Sequence, residues 1–164
     1  MGRVRHFEKI DTVKTMTSAT GENPTLTKLQ VAVHQLGVAI RLFLEGDCLS
    51  SLTLAGAAEE ILGKLCEREG HPVAVEGIIR FHWNDTDPAL SDKERRKVLL
   101  NVLNAGRNAV KHANDPAEAE FTVDRVYALQ MIMRAMPMAR QFGLSPAGEA
   151  EMVAWIRTHP EAAQ

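Results

Sequence analysis

Apolar residues recur at helical spacing over most of this chain. Between residues 25 and 45 they fall at alternating steps of four and three, namely at Leu29, Val33, Leu36, Ile40 and Phe43. Pro24 precedes this run and Gly46 follows it, and both residue types commonly border helices. From residue 47 to 69 a second stripe is formed by Leu54, Ala58, Ile61 and Leu65. The pattern therefore predicts two amphipathic helices in succession.

A third helix is predicted from about Ser91, a typical N-terminal cap, to the breaker Asn114-Asp115-Pro116. Asp92 and Glu94 lie in its first turn, where acids favour the helix dipole. Its apolar side chains form one broad arc that we expect to face the core: Val98, Leu99, Val102, Leu103, Ala105, Ala109 and Val110. The narrow remaining face is polar and holds Asn101, Asn104, Arg107, Asn108, Lys111 and His112.

The later part of the chain predicts further helices. One runs from beyond Pro116 to about Gly143, where Pro137 should kink or end it. Its expected core side chains are Val126, Leu129, Met131, Ile132, Met133, Met136 and Met138. Ser145-Pro146 opens a last helix. Three of its side chains must dock on the bundle or on a second protomer: Met152, Trp155 and Ile156.

Four main helices with some short ones, joined by short loops, indicate an all-α fold, most economically an up-down helical bundle. Residues 24–164 are assigned to this single domain, because 164 residues suffice for one buried core. Residues 1–23 are predicted to be an N-terminal arm, with a short strand and a mobile segment both left open. Residues 73–88 predict a short helix and a polar loop, with Trp83 anchoring the core or a dimer.

Composition and charge narrow the class of protein. Apolar residues make up 45% of the chain and aromatic residues 5%, which suits helices packed through aliphatic side chains. A net charge of −2 gives no case for nucleic-acid binding by the chain as a whole. The charge is uneven, because residues 90–113 hold six lysines and arginines against two acids. A basic strip on an acidic body is therefore predicted.

The cysteines and the N-terminus indicate a cytoplasmic protein without a membrane segment. Cys48 and Cys66 lack Cys-x-x-Cys spacing and fall in apolar helical patterns, so both are expected to be core thiols. No run approaches the ~20 apolar residues that span a membrane. A metal site is not predicted from His82, Asp85 and Asp87, although their side chains can bind metals. The string N-D-T-D-P is typical of a turn, and there is no second histidine three or four residues from His82. No metal and no cofactor is expected.

The polar face of the third helix carries the only candidate chemistry. Solvated helix faces usually mix glutamate with lysine, whereas this face has no acid, which indicates a buried polar seam or an anion site. Arg107 offers a planar fork of donors for phosphate oxygens, and His112 has an ordinary pKa near neutrality. Five residues apart, they lie roughly 140° apart around an ideal helix and about 7.5 Å apart along it.

The string R-N-A-V-K-H, from Arg107 to His112, resembles the motif of the HEPN superfamily, with Asn108 at the polar position after the arginine. The stretch L-A-G-A-A-E-E-I-L-G-K-L, from Leu54 to Leu65, is also similar to small bacterial proteins of this type. The likeness covers roughly residues 24–143. It implies an all-helical domain. Many such domains are metal-independent ribonucleases, often toxins acting as dimers, and others only bind nucleotides or assemble with partners.

Two functional hypotheses follow from the motif. In the first, the chain is an RNA endonuclease in which the 2′-hydroxyl attacks the phosphate, His112 moves protons and Arg107 stabilises the developing charge. The RNA backbone would be positioned by Asn104, Asn108 and Lys111. In the second hypothesis, the chain is a non-catalytic module that binds a nucleotide or a protein partner. The scarcity of aromatic residues for base stacking counts against the first.

Glu59 completes the candidate site, because it lies at the edge of the apolar face of the second helix. It is expected either to pair with Arg107 or to be a boundary carboxylate wetted by solvent. If it pairs, Glu59→Gln should leave the fold intact without a large loss of melting temperature.

The expected partners follow from the same motif. A homodimer is predicted, because two copies facing each other would form one basic cleft. RNA and an antitoxin or other protein are the candidate partners, whereas DNA lacks the attacking hydroxyl and is not expected.

Overall fold

The structure is a computed structural model that describes residues 25–112 and 119–160. Within these ranges the chain forms six α-helices and one short 3-10 turn, and no strand. The all-α prediction is therefore confirmed for this part of the chain. The predicted arm over 1–23 and the breaker at 114–116 lie outside it. The helices are α1 (Lys28–Glu45), α2 (Cys48–Glu69), α3 (Ala74–Phe81), α4 (Asp92–Lys111), α5 (Arg125–Gln141) and α6 (Glu149–Thr158), with the 3-10 turn at Trp83–Asp85.

Reciprocal caps define the beginnings of α1 and α4. The Thr27 hydroxyl accepts a hydrogen bond from the Gln30 amide at 3.1 Å, and the Gln30 side chain accepts the Thr27 amide at 2.9 Å. Ser91 and Glu94 form the same arrangement at α4, and hydrogen bonds from Ser91 lower the pKa of Glu94. Such caps satisfy amides that lack a partner within the helix. The helix start predicted near Ser91 is confirmed.

The core is formed mainly by α1, α2 and α5. Two residues separate α1 from α2, so these helices run antiparallel, and the Ser51 hydroxyl donates to the Ala39 carbonyl at 2.8 Å. Buried aliphatic side chains from all three helices meet there, among them Leu36, Ile40, Leu52, Leu62, Leu129 and Ile132. The predicted docking of α6 on the bundle is also confirmed, because Met152 is buried and Trp155 meets Phe43 edge-on at 4.9 Å.

Two sequence predictions about the core are wrong, those for α5 and for Cys48. Val126 and Met133 of α5 are more than a third exposed, because they lie on its outer face. Pro137 was predicted to kink or end α5, and of these two alternatives the ending is excluded, because α5 continues to Gln141, close to the end predicted near Gly143. Pro137 is itself exposed, so water can reach the carbonyl that it leaves without an amide partner. Cys48 is only half-buried, because it is the first residue of α2, whereas Cys66 is buried as predicted.

Helix α4 packs on the bundle through one narrow side. Of its residues only Leu99 and Gly106 are buried, while Val98 and Val102 are 44% and 69% exposed. The prediction that one broad apolar arc faces the core is therefore wrong, because the arc is wider than the surface that the other helices offer. Trp83, expected as an anchor, is half-buried beneath the guanidinium of Arg95, 4.5 Å from the ring centre. Among the described helices none is long and apolar enough to cross a membrane.

Candidate functional site

The carboxylate of Glu59 is buried in the middle of α2, with 4% of the residue exposed. One oxygen accepts hydrogen bonds from Nε and Nη2 of Arg134, at 3.0 and 2.5 Å. The other oxygen lies 3.3 Å from Nη1 of Arg107. The predicted contact between Glu59 and Arg107 is thus present, and the interpretation of Glu59 as a solvent-wetted boundary residue is wrong, since α4 and α5 cover it. We call Glu59, Arg107, Arg134 and Asn104 the Glu59 cluster.

Arg134 is the one member of the Glu59 cluster that the sequence analysis did not select. It is 5% exposed, and its Nη1 donates to the carbonyl of Leu103 and to the side-chain oxygen of Asn104, both at 3.1 Å. It therefore ties α5 to both α2 and α4. A signal was present in the sequence, because Arg134 is a lone cation in the run M-I-M-R-A-M, and a cation placed in a core needs a buried acid.

A glycine allows Arg107 to reach Glu59. A Cβ atom at Gly56 would lie 2.8 Å from Cγ and 2.9 Å from Cδ of Arg107, so the stem of the arginine lies directly across α2 at this point. The Nε atom of Arg107 is buried and has no hydrogen-bond partner among the described residues. Arg107 is thus fixed by packing and by the carboxylate of Glu59, with that of Glu60 farther away at 3.9 Å, and it has donor capacity to spare.

The polar face of α4 is divided rather than continuous. Asn104 and Arg107 turn inward to the Glu59 cluster, whereas Asn108 and His112 are exposed. His112 ends the helix, and its backbone amide donates to the Asn108 carbonyl at 3.0 Å. Lys111 lies 3.7 Å from the exposed carboxylate of Glu60. The predicted site residues are therefore brought together only in part, and His112 is not in the cluster.

A groove of about 460 Å³ opens between α2 and α4 and extends to the beginning of α1. We call it the basic groove, because the described residues that line it include five cations and a single carboxylate, that of Glu60. The cations are Lys28, Lys64, Arg68, Arg107 and Lys111. The remaining walls are small or aliphatic and comprise Thr53, Gly56, Ala57, Ile61, Leu65 and Val110. His112 is not among the lining residues.

Acids, histidines and cysteines are dispersed over residues 25–112 and 119–160, and no three of them are close enough to hold a metal ion. The predicted turn at residues 82–87 explains one close pair, because Nδ1 of His82 lies 2.7 Å from the Asp85 carboxylate three residues later. The Thr86 hydroxyl in the same turn accepts a hydrogen bond from Arg95 at 2.7 Å. These contacts hold the loop before α4.

Comparison of the chain with protein-family models, curated proteins and solved structures finds no match. The case for a function accordingly comes from the basic groove and the Glu59 cluster themselves.

Proposed function

We propose that this chain is a helical binding module and that the basic groove holds a small anionic ligand. The observation that carries the proposal is the charge of the groove wall, to which the described part of the chain contributes five cations and one carboxylate. A cleft lined by one sign of charge attracts ligands of the opposite sign, and partly apolar walls strengthen that attraction. The volume of about 460 Å³ is typical of sites for small molecules. Phosphate or carboxylate groups are the chemistry that such a groove would select.

This proposal develops the second of the two hypotheses from the sequence, a non-catalytic module that binds a nucleotide or another ligand. The proposal also includes the resemblance to the HEPN superfamily. It further includes an up-down bundle whose four main helices are α1, α2, α4 and α5. In this proposal Arg107, the arginine of the motif, forms part of the groove wall. The Glu59 carboxylate, with one oxygen 3.3 Å from Nη1 of Arg107, holds it in place.

Ribonuclease activity is the competing proposal, and the geometry favours it less. Arg107 is engaged by Glu59 inside the bundle, while His112 lies at the exposed end of α4 and outside the groove. An acid-base histidine and a charge-stabilising arginine must reach the same phosphate. A second copy of the chain would have to complete such a site.

Calorimetric titration with inorganic pyrophosphate and with ATP tests the binding proposal. Lys111→Gln and Arg68→Gln should each weaken binding about fivefold or more, because each removes one cation from the groove wall. Lys97→Gln is the matched control, since Lys97 is an exposed cation of α4 that does not line the groove. Absence of binding by both probes at 50 mM salt, or an equal loss in the control, would contradict the proposal.

A cleavage assay separates the binding module from the ribonuclease. Wild-type protein should leave single-stranded and structured RNA intact, with and without EDTA. Cleavage that resists EDTA, leaves a 2′,3′-cyclic phosphate and disappears in His112→Ala would establish the ribonuclease instead. Circular dichroism of the variant must show that it is still helical.

The predicted homodimer belongs to the same proposal and gains a candidate surface. The exposed stripe of α4 can pair with itself in an antiparallel second copy, which would set Val98 against Ala109 and Val102 against Ala105. The same pairing brings Glu94 near His112 of the second copy, where the imidazole can donate a hydrogen bond to the carboxylate. Sedimentation should show a dimer in the wild type and a monomer in Val102→Lys. A wild-type monomer at micromolar concentration would remove the dimer from the proposal.

A further inference from the structure

We infer that the ligand of the basic groove is a linear chain of phosphates without bases, an oligophosphate or polyphosphate that lies along α2. The inference rests on the proposed function, because it names the class of anion that the groove binds. It is carried by the spacing of the cations along the groove and by the positive charge that their carboxylate contacts leave over.

The two α4 cations of the groove lie beside the middle of α2. The stem of Arg107 crosses α2 at Gly56, and its Nη1 atom lies 3.3 Å from the carboxylate of Glu59 and 3.9 Å from that of Glu60. Nζ of Lys111 lies 3.7 Å from the same Glu60 carboxylate. Both α4 charges are therefore at about the level of Glu60 along α2.

The other cations continue this row toward the end of α2. Lys64 and Arg68 follow Glu60 at steps of four residues and line the same groove. The hydrogen bond that fixes the register of α1 against α2 places Lys28 level with Leu62. The charges thus extend over about 12 Å of helix, from the level of Glu60 to that of Arg68, and successive levels are no more than about 6 Å apart.

The Glu59 cluster adds a surplus charge beside the row. Glu59 is one carboxylate between two arginines, Arg107 and Arg134, so these three side chains together carry a charge of +1. Of the three, only Arg107 lines the groove, and 19% of its side chain is exposed. A charge in a protein interior is costly unless an opposite charge lies near it. An anion in the groove beside Arg107 supplies that opposite charge.

Other carboxylates offset the row only in part. Besides Glu59, the described acids that contact its cations are Glu60 and Glu67. With these included, the basic groove and the Glu59 cluster hold six cations and three carboxylates, a surplus of three positive charges. Glu60 and Glu67 are about half exposed, and exposed ion pairs contribute little, so phosphates can replace these acids as partners of Lys111 and Lys64.

A surplus spread along a groove matches a ligand with several negative charges in a line. A single phosphate is close to only part of the row, whereas a phosphate chain places a charge beside each level. The chain also needs no base pocket, and no phenylalanine, tyrosine, tryptophan or histidine is among the described residues that line the groove. The small and aliphatic walls strengthen the attraction between the charges. A phosphate chain therefore fits this groove better than a nucleotide or an RNA strand.

Calorimetric titration of the full chain with phosphates of increasing length tests the inference, with EDTA present to remove divalent cations. The probes are inorganic phosphate, pyrophosphate, tripolyphosphate and long-chain polyphosphate, with ATP and poly(A) RNA for comparison. Affinity should rise about threefold or more at each step from phosphate to tripolyphosphate, because each added phosphate reaches further along the row. ATP should bind no more tightly than tripolyphosphate, and poly(A) more weakly than long-chain polyphosphate, because nothing in the groove holds a base.

The salt dependence of binding reports how many cations each ligand engages. The logarithm of the affinity falls with the logarithm of the salt concentration, with a slope of about −3 expected for long-chain polyphosphate and about −1 for pyrophosphate. The double variant Lys28→Gln/Arg68→Gln should make the polyphosphate slope shallower by about 1, because it removes two cations from the row. Arg41→Gln/Lys97→Gln is the control, since it removes the same charge from exposed positions outside the groove and should leave the slope unchanged.

The outcomes distinguish this inference from the proposed function. Equal affinities for pyrophosphate and tripolyphosphate, with an equal salt slope for polyphosphate, would overturn the inference and leave a site for a compact anion. Tighter binding of ATP than of tripolyphosphate would identify a nucleotide, and tighter binding of poly(A) than of polyphosphate a nucleic acid; either result overturns the inference. An equal change of slope in the control variant also overturns it. If no probe binds to folded wild-type protein, both proposals fail.

Discussion

Helix α4 borders a depression on each side, and the two differ in how their charges are balanced. On the α2 side, the basic groove carries five cations and one carboxylate from residues 25–112 and 119–160, and the Glu59 cluster lies buried beside it. On the α3 side, a more open depression carries the cations Arg80, Lys93 and Arg96 and the carboxylates Glu76 and Asp92. The near balance there leaves little attraction for a charged ligand. Charge surplus, and not depression size, distinguishes the candidate site.

The same contrast applies to the two contacts between arginine and glutamate. The side chains of Glu59 and Arg134 are both 5% exposed, whereas those of Glu76 and Arg96 are 39% and 43% exposed. A buried pair leaves an uncompensated charge in the interior when one member is lost, while an exposed pair exchanges its partner for water. Similar contacts should therefore contribute very differently to the free energy of unfolding.

The largest effect is expected from Glu59→Gln. Removing the negative charge leaves Arg134 buried without its acid and Arg107 without its closest one, so the free energy of unfolding should fall by about 3–5 kcal/mol. Urea denaturation measures this loss. This prediction replaces the sequence-based one, in which Glu59→Gln causes no large loss of melting temperature, because that prediction did not include a second, buried arginine.

Glu60→Gln is the matched control for that experiment. Glu60 is the neighbouring carboxylate, about half exposed on the rim of the basic groove, so its loss should change stability by no more than about 0.5 kcal/mol. Equal losses of unfolding free energy in Glu59→Gln and Glu60→Gln would show that burial of a carboxylate does not determine its contribution to stability.

Alkylation of Cys66 offers an independent measure of how often each variant opens. Burial raises the pKa of the Cys66 thiol, so the cysteine should react slowly in the folded protein.

How much of this could be predicted from sequence depends on the range of the interaction involved. Caps and periodicity act within a few residues, and they located the beginnings of α1, α2 and α4 to within three residues. Periodicity shows where an apolar stripe lies but not what packs on it, and for that reason Val98 and Val102 were wrongly assigned to the core. Local patterns also placed Arg107 and His112 in one polar face that tertiary packing divides.

The groove and the Glu59 cluster depend on contacts between distant parts of the chain. Arg134 lies 75 residues from Glu59, and no local pattern links them. The groove wall combines the beginning of α1, the outward face of α2 and the end of α4. Only Glu59's contact with Arg107 was anticipated, as one of two alternatives for a carboxylate at the edge of the apolar face of α2.

Glycine-to-alanine substitutions on the two sides of α4 should change the free energy of unfolding by an intermediate amount. Gly56→Ala should lower the free energy of unfolding by about 1–3 kcal/mol, because its Cβ would collide with the Arg107 stem and displace the arginine from Glu59. Gly77→Ala in α3 meets nothing within 4 Å and should raise stability by about 0.5–1 kcal/mol through helix propensity. Changes of opposite sign in the free energy of unfolding, measured by urea denaturation, would support the close approach of α2 and α4. A stabilising Gly56→Ala would show that the two helices are farther apart.

The smallest effect is expected from Glu76→Gln on the α3 side. Hydrogen bonds from Arg96 lower the pKa of Glu76 from its ordinary value of 4.5. A carboxylate whose pKa is lower in the folded state stabilises the fold above its ordinary pKa and loses that contribution as pH falls through the folded value. Because both side chains are about two-fifths exposed, solvent should limit the contribution to about 1 kcal/mol or less.

Urea denaturation of the wild type and Glu76→Gln at pH 7 and pH 3 checks both the size and the sign of this effect. The two proteins should differ slightly at pH 7, and the difference should shrink at the lower pH, because the contribution is lost as the pH falls through the lowered pKa of Glu76. Added salt should reduce the difference at pH 7, because it screens exposed charges. A loss at pH 7 as large as that of Glu59→Gln would mean that exposure does not weaken this pair. The contrast between the two sides of α4 would then have to come from charge surplus alone.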